Sequence, residues 1–311
     1  MDNPIINTKE VLNNRKKIQV LIALFSVYLF WGGTYLGIKF AIETIPPFIM
    51  AGSRFLVAGL ILYFWSLLSG YKNPTKKQWF SAGIIGAQLL LFGNGFVVLA
   101  EQLVPSGIAA TMIATVPLWI ILLEWLWKKQ KSPNKGVILG IILGFAGILL
   151  LVTNSSGTPD KNNVNPVGVA LLLFASFSWS LGSLSSRTVD QPRSPLLFTA
   201  MQMIVGGILL FLGSLLKGEW VHFSIVNLSL RSFLSLLYLI IFGSIVAYNA
   251  YMWLLKNTDS ALVSTYAFVN PIVAVFIGWL IAGEQLTVNI LIATVIIILS
   301  VIIITIFRNR N

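Results

Sequence analysis

Apolar residues fall into ten long blocks along this chain, and polar residues are confined to the short stretches between them. The blocks cover about 18–38, 47–68, 79–99, 106–127, 135–152, 166–185, 195–216, 231–253, 260–281 and 288–307. About twenty apolar residues in helical form cross the hydrocarbon core of a bilayer. The pattern predicts an all-α integral membrane protein with ten transmembrane helices. The first block does not read as a signal peptide. Nine more blocks follow it, and Gly32, Gly33, Tyr35 and Lys39 do not make a cleavage site.

The last five blocks repeat the first five. At an offset of 148, Trp31 meets Trp179, Leu36 meets Leu184, Lys39 meets Arg187, Pro47 meets Pro195 and Gly59 meets Gly207. The offset then becomes 154, because the 217–230 connection is longer than its mate. Ser106 now meets Ser260, Thr111 meets Thr265, Pro117 meets Pro271 and Trp125 meets Trp279. Matched tryptophans and mid-span prolines in the same order point to two five-helix units, 18–152 and 166–307. The stretch between them carries Ser155, Gly157 and Pro159 and reads as a linker. Five spans per unit is an odd number, so the second unit enters the membrane from the opposite side. Inverted repeats of this kind build secondary transporters with a substrate site near the midplane.

Composition supports the membrane assignment: 57% of the 311 residues are hydrophobic and 10% charged, against about 25% charged in soluble domains. The net charge of +11 is an orientation signal. With both termini in the cytoplasm, sixteen of the 21 Lys and Arg lie in inside segments and four outside, and Arg54 lies within a span. That asymmetry follows the positive-inside rule, so no nucleic-acid partner is expected. There is no cysteine, hence no disulfide or thiolate metal site. Neither a metal nor a cofactor is expected.

Three motifs carry a family resemblance. Trp31-Gly-Gly-Thr-Tyr-Leu-Gly-Ile-Lys39, followed by Pro47 and Ser53-Arg54-Phe55, resembles the opening of an EamA domain of the drug/metabolite transporter superfamily. The run from Gly93-Asn-Gly-Phe96 through Ala100-Glu-Gln-Leu-Val-Pro-Ser-Gly-Ile-Ala-Ala110 to Ala114-Thr-Val-Pro-Leu118 is similar to the YedA-like exporters. Gly283-Glu284 resembles the Gly-Glu pair that ends the ninth helix in that family. In the first repeat that position holds Lys129-Gln130, and the tenth span lacks the usual glycines. The resemblance covers about 20–305. It implies a bacterial plasma-membrane exporter whose pathway is lined by helices one, three, four, six, eight and nine. Helices five and ten hold almost no polar residues, which agrees with an outer position for them.

Arg54 is the sharpest single signal. It lies about 10 Å into the second span, where a cation costs at least ~2.5 kcal/mol and usually faces the bundle interior or a cavity. It reads as a counter-charge for a carboxylate or phosphate, or as a structural group that bonds freed carbonyls or snorkels to the outer headgroups. Its repeat mate is the neutral Gln202. Pro117 and Pro271 each remove a donor mid-span, freeing the carbonyls of Ile113 and Ala267. They read as a hinge pair lining the pathway, with static kinks as the alternative. In the third span Gln88, Phe92, Gly95, Leu99 and Gln102 share one α-helical face, and Asn94 and Glu101 another. Tyr248, Asn249 and Trp253 in the eighth span, and Thr265, Tyr266 and Asn270 in the ninth, complete a polar cluster beside aromatic walls. Trp31, Thr34 and Tyr35 share a face mirrored by Trp179, Gly182 and Ser183.

The substrate site expected from these residues comprises Trp31, Tyr35, Arg54, Gln88, Asn94, Trp179, Tyr248, Asn249 and Asn270, with Pro117 and Pro271 as hinges. Glu124 precedes Lys128 by four residues and reads as a helical ion pair. Glu101 and Glu284 end spans on the outside, where solvation is a plainer reading than proton acceptance. His222, the only histidine, lies in an outer loop. No phosphate loop, no His-Glu-x2-His and no intramembrane histidine is present, so no catalytic residue is assigned and an enzyme lacks its parts. A channel normally encloses its pore by oligomerising, whereas internal inverted symmetry encloses a pathway within one chain. The remaining class is a secondary transporter exporting small metabolites such as amino acids, with a broad drug exporter as the alternative. Its partners are the bilayer and a small-molecule substrate; a homodimer stays open.

Overall fold

Prolines and small hydroxyl residues set where the helices begin. Pro47, Pro166 and Pro195 each occupy the first turn of a helix, where the missing N–H costs nothing. Thr75 and Gln78 form a reciprocal capping box, and Ser194 and Ser229 accept from Leu197 N and Ser232 N. In this computed structural model the described residues are 8–127, 134–153, 165–258, 260–263, 266–284 and 287–308. They are helical with turns, and no strand occurs among them. The linker at 154–164, Lys128 and Thr265 lie outside them.

Among the described residues, seven helices are long and apolar enough to cross a membrane. They are α1 (Lys16–Ala41), α2 (Pro47–Leu68), α3 (Lys76–Ala100), α4 (Ser106–Leu126), α6 (Pro166–Ser185), α7 (Pro195–Leu216) and α8 (Leu230–Asn257). Three further helices are α5 (Lys135–Thr153), α9 (Tyr266–Ala282) and α10 (Val288–Arg308), whose apolar stretches are shorter. The 217–230 connection holds two short helical turns, Glu219–His222 and Ile225–Asn227.

The packing follows the repeat. α1 lies on α9, α9 on α4, α4 on α6, α6 on α3, and α8 on α1. α2 and α7 pack along each other, as do α5 and α10. The α2–α7 crossing is reciprocal. A Cβ on Gly59 would lie 2.8 Å from Ile204 N, and one on Gly207 would lie 2.7 Å from Leu56 N. Residues 56 and 204 are repeat mates, as are 59 and 207. Along α5, Gly140, Gly144 and Gly147 leave room for Ile304, Ser300 and Ile297 of α10. α5 and α10 stand apart from the ring, as expected. Helices two and seven, expected outside the ring with five and ten, do not: α2 and α7 each pack on both α3 and α8 and close the ring between them.

The helices are not uniformly α. π-helical turns occupy Val27–Trp31 in α1, Ala87–Gly95 in α3 and Leu239–Tyr248 in α8. The last two are repeat mates. Wider turns change which side chains share a face, so the α-helical face expected for the third span does not form. Phe92 and Gln102 are exposed while Gly95 is buried. Such turns mark functional segments more often than chance. The two mid-span prolines also differ. α4 breaks at Ala114–Thr115 and restarts with Pro117 in its new first turn. Pro271 sits inside the continuous helix α9. The matched pair of kinks is therefore present in sequence but not in geometry.

Candidate functional site

The π turns of α1 carry Trp31 to the middle of the ring. Its indole Nε1 donates to Gly243 O at 3.0 Å, within the π segment of α8. Around Trp31 the aromatic rings converge: Trp179 lies edge-on at 5.6 Å between centroids, Tyr266 at 5.5 Å and Tyr251 at 4.9 Å. Tyr251 is itself tied to Ser183, oxygen to oxygen, at 2.9 Å. Such contacts add about 0.5–1.5 kcal/mol per pair beyond burial and fix the walls.

Against this aromatic box lies a cavity of about 60 Å³. It is lined from α1 by Trp31, Thr34, Tyr35 and Ile38, from α2 by Arg54, and from α3 by Gly93, Asn94 and Val97. Ile113, Ala175, Trp179 and Tyr266 complete it. Arg54 is 3% exposed. Its Nε donates to Ser244 Oγ at 2.8 Å and its Nη1 to Asn94 Oδ1 at 3.5 Å, and the guanidinium lies over Phe55 at 4.7 Å. Among the described residues no carboxylate pairs with it. A charged, bidentate donor thus faces the cavity with only neutral partners.

Five of the nine residues expected at the site line this cavity: Trp31, Tyr35, Arg54, Asn94 and Trp179. The other four do not. Tyr248 sits behind the two tryptophans and donates to Gln202 Oε1 at 2.8 Å. Asn249 bonds back to Ile245 O in its own helix at 2.7 Å. Asn270 is buried away from the lining. The carbonyl of Gln88 accepts from Ser178 Oγ. Neither Pro117 nor Pro271 reaches the cavity. Tyr266 and Thr34 are polar residues of spans already singled out, yet their place in the lining was legible only as part of a cluster. Tyr251 gave no signal, because α-helical spacing does not place it beside Trp31.

The two ends of the ring differ. At the end formed by 42–46, 101–105 and 283–284, Lys39 Nζ and Glu284 Oε1 pair at 2.6 Å. Glu284 also accepts from Ser106 N at 3.0 Å, Ser106 Oγ at 2.8 Å and Gly107 N at 3.3 Å. It is the anion at the N-terminus of α4, where the helix dipole favours it. Burial works to raise its proton affinity, but Lys39 and the Ser106 donors outweigh that and hold the carboxyl below its ordinary value. Glu219 caps the N-terminus of α2, accepting from Phe48 N and Ile49 N, each at 3.0 Å. Glu101 is 6% exposed, and neither carboxyl oxygen has a partner. The expectation that Glu101 and Glu284 are solvated helix ends is overturned: Glu101 is buried, and the Glu284 carboxylate is taken up by Lys39, Ser106 and Gly107.

At the opposite end a cavity of about 440 Å³ is lined by Arg187, Arg193 and Lys256 with Gln191, Phe198 and Met252. A narrow space of about 20 Å³ beside Tyr251, Ser183 and Arg187 lies between the two. It shares Tyr266 with the central cavity and Arg187 and Leu255 with the large one. The cavities are thus strung from the centre toward the Arg187 end, while the Lys39 end is latched.

Apolar helices in two matched sets, a central polar-aromatic cavity and one latched end define a polytopic membrane transporter. The pattern of the EamA-like transporter family matches residues 18–153 and again 166–306, and the chain belongs to that family. It is 40% identical over 293 residues to the inner membrane transporter YedA of Escherichia coli (strain K12), covering 94% of this chain and 92% of YedA. It is 24% identical over 287 residues to the transporter YvbV of Bacillus subtilis (strain 168), covering 92% and 91%. A solved crystal structure shares the fold at a TM-score of 0.64 and 20% identity, covering 94% of this chain and 98% of that one.

Proposed function

We propose that this protein is a secondary transporter of ten spans that exports small carboxylate-bearing metabolites, such as amino acids, across the plasma membrane. The Arg187 end, rich in basic residues, faces the cytoplasm with both termini, and the Lys39 end faces outside. The observation that carries the substrate class is Arg54: a buried cation facing a cavity, held by neutral groups. A carboxylate would complete its donor set, and the aromatic box would take an apolar side chain. No anion among the described cavity-lining residues would balance a permanent cation, so quaternary ammonium compounds fit poorly.

The central cavity, about 60 Å³, has room for a few waters, less than an amino acid needs. Substrate therefore enters by spreading the walls from the Arg187 side, and release follows opening of the latched end, as alternating access requires. The experiment is growth and efflux in an overproducing strain, setting toxic amino-acid analogues against quaternary ammonium dyes. Protection against the analogues, lost in Arg54→Gln, is the expected result. Protection against the dyes alone, unaffected by Arg54→Gln, would replace this reading with a broad drug exporter walled by aromatic side chains.

A further inference from the structure

Glu101 has no role in the site described so far, yet its burial demands one. It follows the last turn of α3, one turn beyond the cavity-lining Val97, whose carbonyl accepts the Glu101 N–H at 2.9 Å. Both side-chain oxygens are buried and unpartnered. A carboxylate in that setting costs far more than a neutral acid. The groups that face it are Tyr35 and Lys39 from α1, Arg54 from α2 and Glu284 after α9. The packed helix α6 offers none, since residues 166–185 contain no acidic, basic or tyrosine side chain. Lys39 is already committed to Glu284 at 2.6 Å, and Arg54 to Ser244 and Asn94. Glu101 thus stands between the charged floor of the cavity and the latch, and neither cation pairs with it.

We infer that Glu101 is a proton-binding site whose occupation holds the Lys39 end closed. Burial, reinforced by Glu284 and opposed by Lys39 and Arg54, keeps its proton affinity well above the ordinary carboxylate range. When the latch parts, water reaches Glu101 and the O–H bond breaks. The proton passes to water, and the carboxylate becomes available to the freed Lys39. Because the closed state binds the proton more tightly than the open one, acid favours closure and rising pH favours opening. The proton thereby gates the Lys39 end. This deepens the transporter reading and rests on it.

The test uses the whole protein in liposomes and needs no substrate. The chain has no cysteine, so Ile38→Cys places a single thiol in the cavity wall nearest the latch. Its rate of labelling by a membrane-impermeant maleimide from the Lys39 side is followed from mildly acidic to mildly alkaline pH. The rate should rise several-fold more with pH in the Ile38→Cys protein than in Ile38→Cys combined with Glu101→Gln, which reports the thiol's own titration. Glu101→Asp should restore the difference. Equal pH dependence with and without Glu101→Gln would overturn the proposal. Infrared titration of the unmodified protein checks it even if Glu101→Gln fails to fold: a protonated carboxyl stretch should persist at neutral pH, and its absence would also refute it. Neither readout depends on efflux, so a failure of the substrate assay leaves this result standing on its own.

Discussion

Arg54 shows what a single residue can reveal. A charge deep in an apolar span is rare and costly, so its presence alone pointed to the interior, and it lies there. Removing its charge by Arg54→Gln takes away a charge-assisted contact of about 1.5–3 kcal/mol. Apparent affinity for a carboxylate substrate should fall about 10- to 100-fold, read as a rise in the concentration needed for half-maximal efflux. Arg54→Lys should restore only part of it, because an ammonium lacks the planar fork. An unchanged half-maximal concentration in Arg54→Gln would assign the residue to packing. Trp31, Trp179, Tyr35 and Asn94 were legible for a related reason, since aromatic and amide groups at mid-span are not interfacial anchors. Glu101 was not legible as buried. It sits at a span end, and only the tertiary packing around it removes water.

At the scale of helices, the ten apolar blocks and the repeat were plain in hydropathy and in matched residues, and the reciprocal α2–α7 crossing follows from them. Two of the exceptions, Gln88 and Asn249, share a physical source; Asn270, in the continuous helix α9, does not. Face assignments in α3 and α8 assumed 3.6 residues per turn, and the π turns at Ala87–Gly95 and Leu239–Tyr248 displace Gln88 and Asn249 from the cavity and bring Tyr251 toward it. Nothing in residue type announces a π turn. The crossing itself makes a sharp prediction. Gly207→Ala puts a Cβ 2.7 Å from Leu56 N, a backbone atom that cannot swing aside, whereas Gly83→Ala meets nothing closer than Val205 Cγ1 at 3.7 Å. Overpacking costs about 1–3 kcal/mol. Thermal unfolding in detergent should show Gly207→Ala melting several degrees below the unmodified protein and Gly83→Ala at or slightly above it. Equal melting of both would mean that α2 and α7 do not approach as closely as described.

The latch belongs to the same scale. Glu284 has its carboxyl held down by Lys39 and Ser106, so the sign is that of a depressed acid. The latch is intact above the ordinary carboxylate value of 4.5 and weakens only as pH falls through a lower one. Glu284→Gln should open the Lys39 end across the neutral range, seen as faster labelling of Ile38→Cys. Unaltered labelling would show that the ion pair does not bar the way.

For the whole molecule, topology is the first consequence. Single cysteines at Asn134 and Asn162 test it: an impermeant thiol reagent should label the second in intact cells and spare the first. Labelling at Asn134 would invert the orientation. The second consequence comes from the repeat. By the offset of 154, the mate of Glu284 is Gln130, and by the offset of 148 the mate of Lys39 is Arg187. The Lys39 end therefore has an acid and a base for its latch, while the sequence supplies a base and a neutral amide at the matching repeat positions, Gln130 lying outside the described residues. An ion pair at the Lys39 end, with a neutral amide at the matching sequence position, biases the chain toward closure there and access from the Arg187 end, which agrees with the space of about 440 Å³ beside Arg187. Gln130→Glu supplies the missing acid. It should slow labelling of a cysteine introduced at Met252 from the cytoplasmic side and speed labelling of Ile38→Cys from outside. Adding Glu284→Gln should exaggerate both shifts. If Gln130→Glu moves neither rate, the repeat does not extend to the latches, and the resting state is set by something other than this asymmetry of charge.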